Sequence, residues 1–169
     1  PRELSMDNSS EIFAWKHAIS ILNLSDEDII LIAPTTSPFR SIKSLRKVVD
    51  KLQNKNDIDG VVVIKETSMH PNFNIVRKVN DMVELWDNFN GRISNRQQGG
   101  DSFDVTTVCF CYRVSSLKKM SNIFDGLIGS IQVSRLEGID IDTLLDLEFV
   151  RYLSSNGARL LLDLEKDYL

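Results

Sequence analysis

IILIAPTTSPFR, Ile29 to Arg40, packs three signals into one short stretch. The run Ile29, Ile30, Leu31, Ile32 and Ala33 lacks polar alternation, so it reads as a strand buried on both faces, as in a parallel sheet flanked by helices. Pro34, Thr35, Thr36, Ser37 and Pro38 end it in a turn. That turn lies beyond the carboxyl end of the strand, where open α/β sheets hold ligands. Ser41 can then cap a helix whose apolar residues Ile42, Leu45, Val48, Val49 and Leu52 keep to one face.

Outward from this unit the alternation of helix and strand continues. Upstream, Asp7, Ser9 and Ser10 are candidate caps for a helix to about Asn23 with Ile12, Trp15, Ile19 and Leu22 on one face. Downstream, the all-apolar Gly60 to Ile64 reads as a second buried strand, and its order after a helix predicts parallel neighbours joined by crossovers. At Met69 the pattern breaks. Phe73 to Val79 and Met82 to Trp86 read as two strands of a hairpin turning on Asn80 and Asp81, followed by a polar loop, Asp87 to Ser102. The arginines and glutamines of this loop, Arg92, Arg96, Gln97 and Gln98, suit either an anionic or hydroxyl-rich ligand or a plain surface loop. Phe103 to Val114 is a strand by propensity. A short helix from Ser115 and Ser116 through Met120, Phe124 and Leu127 follows, then a strand from Ile128 to Val133, a helix from Leu144 to Leu153 stopped by a left-handed cap at Asn156 and Gly157, and a packing helix from Ala158 to Leu169.

Composition narrows the class. The chain has 169 residues, 42% hydrophobic, enough for one domain with an ordinary core. No apolar run is long enough to span a bilayer, so no membrane partner is expected. The net charge of -4 argues against a nucleic-acid surface. The basic cluster Lys43, Arg46, Lys47 and Lys51 reads as a solvated helix face. Cys109 and Cys111, two apart in an apolar run, point to one face of a strand as buried thiols. Without a second pair of ligands they make no zinc site, and they fit a reducing compartment, the cytoplasm.

Asp140 and Asp142 are the second chemical signal. Alternation sets both carboxylates on one side of an extended segment, a pair of oxygens suited to Mg²⁺ held together with substrate phosphates and water. The other reading of this stretch is capping, in which Asp142 or Thr143 caps the following helix and Asp146 favours its dipole. No glycine-rich phosphate loop is visible, and no strand precedes the first helix. Either a first unit is missing or the fold is a different one.

Together, PRELSMDNSS, LIAPTTSPFR, NRQQ and GIDIDTLLDLEF, in this order and approximate spacing over about residues 1 to 153, resemble the acylneuraminate cytidylyltransferase family. The resemblance implies a three-layer α/β nucleotidyltransferase (Rossmann-like) fold with a mixed, mostly parallel sheet and a protruding β arm for dimerisation, here residues 69 to 100, within a single partial domain. It implies CTP and a sialic-acid-like sugar acid as substrates, Mg²⁺ as cofactor and a homodimer as assembly. By the match, Asp140 and Asp142 would sit at the magnesium and triphosphate. Thr36 and Ser37 would lie in the substrate-binding turn, and Arg96 and Gln97 would border the sugar site. The proton acceptor is not identified by any residue.

Departures from the pattern sharpen these expectations. The family's Gly-, Arg- and Lys-bearing phosphate loop is absent, and Pro1 matches the second residue of an Arg-Pro pair, so the chain is expected to begin inside the domain and, as it stands, to lack turnover. Pro34 stands in place of a glutamine used for the acyl sugar. Asn95 and Gln98 replace the outer residues of an R-R-Q-D motif, and Thr106 and Thr107 replace Asn-Gly. The nucleotide chemistry is left in place while the sugar is open, with legionaminic, pseudaminic or ulosonic acids as candidates. Two other readings compete: a noncatalytic remnant or binding module of the same fold, and a nucleotidyltransferase for another sugar.

Overall fold

A computed structural model describes residues 1–4, 6, 9–87 and 100–157, and the account that follows concerns these residues. After a 3₁₀ turn at Arg2–Leu4 come α1 (Glu11–Ile21), β1 (Ile29–Ile32), α2 (Ile42–Asn54), β2 (Gly60–Glu66), β3 (Val76–Val79), β4 (Met82–Leu85), β5 (Phe103–Arg113), α3 (Val114–Leu117), β6 (Ile128–Gln132) and α4 (Leu144–Asn156). The main sheet has the order β1-β5-β2-β6. β5 runs antiparallel to both its neighbours and β2 runs parallel to β6, so β1, β2 and β6 point one way and β5 the other. The sheet is mixed, as the family resemblance implies.

Alternation along the central strands builds three layers. Val62, Phe110 and Tyr112 face α1, where they pack with Ile12, Trp15 and Ile19 and with Val114, Leu117 and Met120. Val61, Val63, Cys109 and Cys111 face the other way, against Val48 and Leu52 of α2. A shift of one residue in register would exchange the two faces. Both thiols are free and fully buried, and burial pushes them up to about 11 for Cys109 and about 12 for Cys111, so they stay protonated and inert.

Several local expectations are corrected. β1 is not buried on both faces: among the described residues it pairs with β5 alone, and Leu31 is 38% exposed. The neighbour of β1 is the antiparallel β5 rather than β2, because β5, with 11 residues, is long enough to pair along both edges. Ser41 caps α2 by accepting from the Ser44 N–H, but Ile42, in the first turn, is exposed. Ser10 occupies the N-cap position of α1 without a side-chain bond, and Leu22 lies past the helix end in solvent. Asp7 is outside the described residues. The helix after β5 ends at Leu117, since Asp125 accepts from the N–H groups of Ser121 and Asn122 and turns the chain there. α4 reaches Asn156, and Gly157 closes it at φ 163° through a bond to the Leu153 carbonyl rather than in the left-handed region. The segment Ala158 to Leu169 is outside the described residues.

The expected hairpin forms as a two-stranded sheet of its own, β3-β4, turning on Asn80 at φ 56°. It begins at Val76 instead of Phe73 because the carbonyl of the buried His70 accepts from Phe73, Asn74 and Ile75 N–H groups and holds them in a turn. Val76, Val79, Met82, Val83 and Trp86 are all exposed.

Arg113 locks the passage from α2 to β2. Its Nε donates to the Ile58 carbonyl (3.1 Å) and one terminal nitrogen to those of Leu52 and Lys55 (2.8 and 3.0 Å). These satisfy carbonyls that the end of α2 leaves without helical partners. Arg113→Ala is expected to cost about 2–3 kcal/mol, from loss of charge-assisted bonds, and Arg113→Lys to recover only part, because an ammonium lacks the planar fork. Chemical denaturation of the three proteins measures this.

Candidate functional site

The carboxyl ends of β1, β2 and β6 share one edge of the sheet, and the loops leaving β1 and β6 meet there. The Ile141 N–H donates to the Thr36 carbonyl at 3.0 Å, and the Ser41 N–H donates to Glu137 Oε1 at 3.0 Å. The first of these bonds sets Asp140 and Asp142, which flank Ile141, against the Thr36-Ser37 turn. Residues a hundred positions apart in sequence thus come together.

Each loop is also stiffened from within. A guanidinium nitrogen of Arg40 donates to the Pro34 carbonyl, closing the turn on itself. In the loop after β6, Ser134 takes the Glu137 N–H on its hydroxyl and the Gly138 N–H on its carbonyl (3.1 and 3.0 Å). Gly138 lies so close to Lys65 and Thr106 that a Cβ would collide with both side chains. Lys65 Nζ donates to the Gly138 carbonyl at 3.0 Å, fastening this loop to the end of β2.

Ser37 is 4% exposed, and its hydroxyl is 2.7 Å from that of Thr107. The partner is delivered by an irregularity in β5: Val62 pairs with Phe110, yet the next residue, Val63, pairs with Thr106. The residues between are extra on the β5 side, and such bulges re-aim side chains beside functional sites. Thr106 satisfies the interruption by donating its hydroxyl to the Val63 carbonyl at 3.1 Å. Thr107→Val is expected to strand the buried Ser37 hydroxyl and cost about 1–3 kcal/mol, whereas adding Ser37→Ala should recover much of that, since removing both partners leaves nothing unpaired. Thermal melts of both variants, with hydrogen exchange at residues 36 to 38, provide the measurement.

The acidic residues divide their work. Asp146 accepts from the Thr143 N–H and hydroxyl (both 2.7 Å) and the Asp142 N–H (3.2 Å), forming a capping box with Thr143 at the start of α4. Those bonds, the Thr143 hydroxyl first, hold its carboxyl below the usual range. Capping is therefore the role of Thr143 and Asp146. Among the described residues, Asp140 accepts only from the Ile141 N–H, at 3.1 Å. The exposed Asp142 carboxylate accepts no hydrogen bond among the described residues. No group of three or more His, Cys, Asp or Glu able to hold a metal occurs among the described residues. A dedicated protein cage is thus not formed there; Asp140 and Asp142 are the carboxylates that would hold a magnesium ion taking its other ligands from phosphate and water. Arg96 and Gln97 lie outside the described residues.

Sequence reasoning did not single out Lys65, Arg135, Glu137 or Arg40, and it noted Thr107 only as a departure. Arg40 closes the LIAPTTSPFR stretch and Glu137 precedes GIDID, but no motif marks Lys65 or Arg135. Glu137 is drawn in because the loops cross, and Thr107 because the strand bulges.

Helices on both faces of a mixed sheet, with loops converging at the carboxyl ends of its parallel strands, make a three-layer α/β fold. No family model matches the chain, and no curated protein is similar to it in sequence. Among solved structures it is similar to CMP:2-keto-3-deoxy-manno-octonic acid synthetase complexed with CTP, with TM-score 0.61 at 13% identity, covering 88% of this chain and 69% of that one. It is similar also to 2-C-methyl-D-erythritol 4-phosphate cytidylyltransferase of Francisella tularensis, with TM-score 0.60 at 12% identity, covering 88% and 73%. At such identities the likeness is one of fold. No helix among the described residues is long and apolar enough to cross a membrane.

Proposed function

We propose that this protein is a CTP-dependent cytidylyltransferase that converts a sialic-acid-like sugar acid to its CMP-sugar with release of pyrophosphate. The observation carrying this reading is the Ile141 to Thr36 bond, which draws two carboxylates with open oxygens and a hydroxyl-bearing turn to one edge of the sheet. The fold likeness to a CTP-bound sugar-acid synthetase supports it. The anomeric hydroxyl of the sugar attacks the α-phosphorus of CTP, and pyrophosphate leaves. The work of the chain is chiefly to position the reactants and balance charge.

Asp140 and Asp142 would hold Mg²⁺, which when bound neutralises phosphate charge and draws electron density from phosphorus. Thr36 keeps its hydroxyl for substrate. Ser37, committed to Thr107, shapes the turn. Arg96 and Gln97 would border the sugar. The β3-β4 hairpin serves a homodimer: a two-stranded ribbon is marginal by itself, and its exposed Val76, Val79, Met82, Val83 and Trp86 are suited to burial against a second copy.

Pyrophosphate release from CTP, assayed on the full-length gene product with Mg²⁺ and a panel of sialic, legionaminic, pseudaminic and ulosonic acids, tests the proposal. Turnover with at least one acid is expected. Binding of CTP with no turnover on any acceptor would favour a noncatalytic binding module instead, and turnover only with another type of sugar would move the substrate class.

A further inference from the structure

Beside the loops just described, the end of β2 opens into a cleft of about 280 Å³. Its walls include Lys65, Glu66, Thr67 and Ser68 from β2 and the residues after it, Asp104 from β5, and Arg135 from the turn after β6. Lys65 and Asp104 are direct cross-strand partners, a placement at which opposite charges ordinarily pair. Here they do not. Lys65 reaches instead to the Gly138 carbonyl, and among the described residues the side chains of Arg135, Glu66 and Asp104 make no hydrogen bond or ion pair. Two cations and two carboxylates line one small cleft without forming an ion pair among the described residues.

We propose that this cleft is a subsite for the anionic end of a small polyhydroxylated ligand, with Arg135 as principal anchor, Lys65 as second cation, and Glu66 and Asp104 accepting from the ligand's hydroxyls. A guanidinium presents a planar fork matched to a carboxylate or phosphate, and carboxylates are acceptors only. The volume lies at the foot of the range for small-molecule sites, the scale of one sugar ring. The two acids also set a preference between anions. Each repels added negative charge, so a singly charged carboxylate is favoured over a doubly charged phosphate. On the reading given above, whose nucleotide edge is fastened to this cleft by the Lys65 to Gly138 bond, the ligand is the acceptor sugar. Arg135 then becomes a determinant of acceptor specificity.

The test is titration of the ¹⁵N-labelled protein with N-acetylneuraminic acid, its methyl ester and glucose 6-phosphate, following the amides of Lys65, Ser68, Asp104 and Arg135. Mg²⁺-CTP is titrated in parallel, following Asp140 and Asp142. The free acid should shift the cleft amides, and the ester should bind about tenfold or more weakly, as should the acid to Arg135→Ala, with Arg135→Lys in between. Asp104→Asn combined with Glu66→Gln should narrow the gap between acid and phosphate. Equal binding of acid and ester, wild-type affinity in Arg135→Ala, or shifts confined to other surfaces would overturn the subsite. A cleft response without any Mg²⁺-CTP response would overturn the cytidylyltransferase reading and leave the subsite standing. Arg135 is exposed, so its substitution should leave the fold intact, which far-ultraviolet circular dichroism verifies.

Discussion

Asp142→Asn is expected to lower Mg²⁺-dependent turnover of CTP in the full-length protein roughly a hundredfold or more, with the melting temperature almost unchanged. On the proposed reading, Asp140 and Asp142 would be the two carboxylates that the chain supplies to the metal, so deleting one charge would remove half of that supply, and metal stabilisation of transition-state charge amounts to several kcal/mol, about 1.4 kcal/mol per factor of ten. The stability should hold because Asp142 is exposed and its carboxylate accepts no hydrogen bond among the described residues. Asp146→Asn is the informative contrast. That carboxylate caps α4, so its loss should lower stability while magnesium dependence persists. Its pKa is depressed in the folded state, hence its contribution is complete above the unfolded value and disappears as pH falls through the folded one, below about pH 4. Rates against magnesium concentration, with melts for both variants, separate the roles. An Asp142→Asn enzyme as fast as the wild type would remove Asp142 from the metal.

The second large effect concerns the fold. Gly60→Ala is expected to destabilise the protein by about 2–3 kcal/mol, lowering the melting temperature by about 4 to 12 °C. A Cβ at Gly60 would run into the Tyr112 ring, and the ring has nowhere to retreat. Tyr112 is fully buried, stands 6.0 Å from Trp15 between ring centroids, and donates its hydroxyl to the Ile123 carbonyl at 2.8 Å. Burial also pushes its phenol up to about 12, so it remains a donor throughout the working pH range. If Gly60→Ala melts within a degree of the wild type, the ring is less confined than this packing implies.

The candidate site was half legible. Thr36, Asp140 and Asp142 could be named because each sits in a local pattern, a turn after an apolar run or an alternating acidic segment. Lys65 and Arg135 could not, since a lysine near a strand end and an arginine in a turn look like ordinary surface residues until the strands are ordered. The same limit hid the position of β5. Its apolar, β-branched composition marked it as a strand, but pairing partners are chosen across the chain, and the expected parallel contact between β1 and β2 gave way to a strand from much later in the sequence.

From the residues alone followed the elements that depend on near neighbours: the Ser41 and Thr143 caps, the Asn80 turn, the helical stripe Ile12, Trp15 and Ile19, and the buried run Val61 to Val63. Backbone preference and hydrophobic period act over a few residues, and so can be read there. Tertiary structure alone decided the strand order, the bulge that brings Thr107 to Ser37, and the unpaired charges gathered around the cleft. Those depend on which distant surfaces exclude water together, a property of the folded whole that no short window of sequence contains.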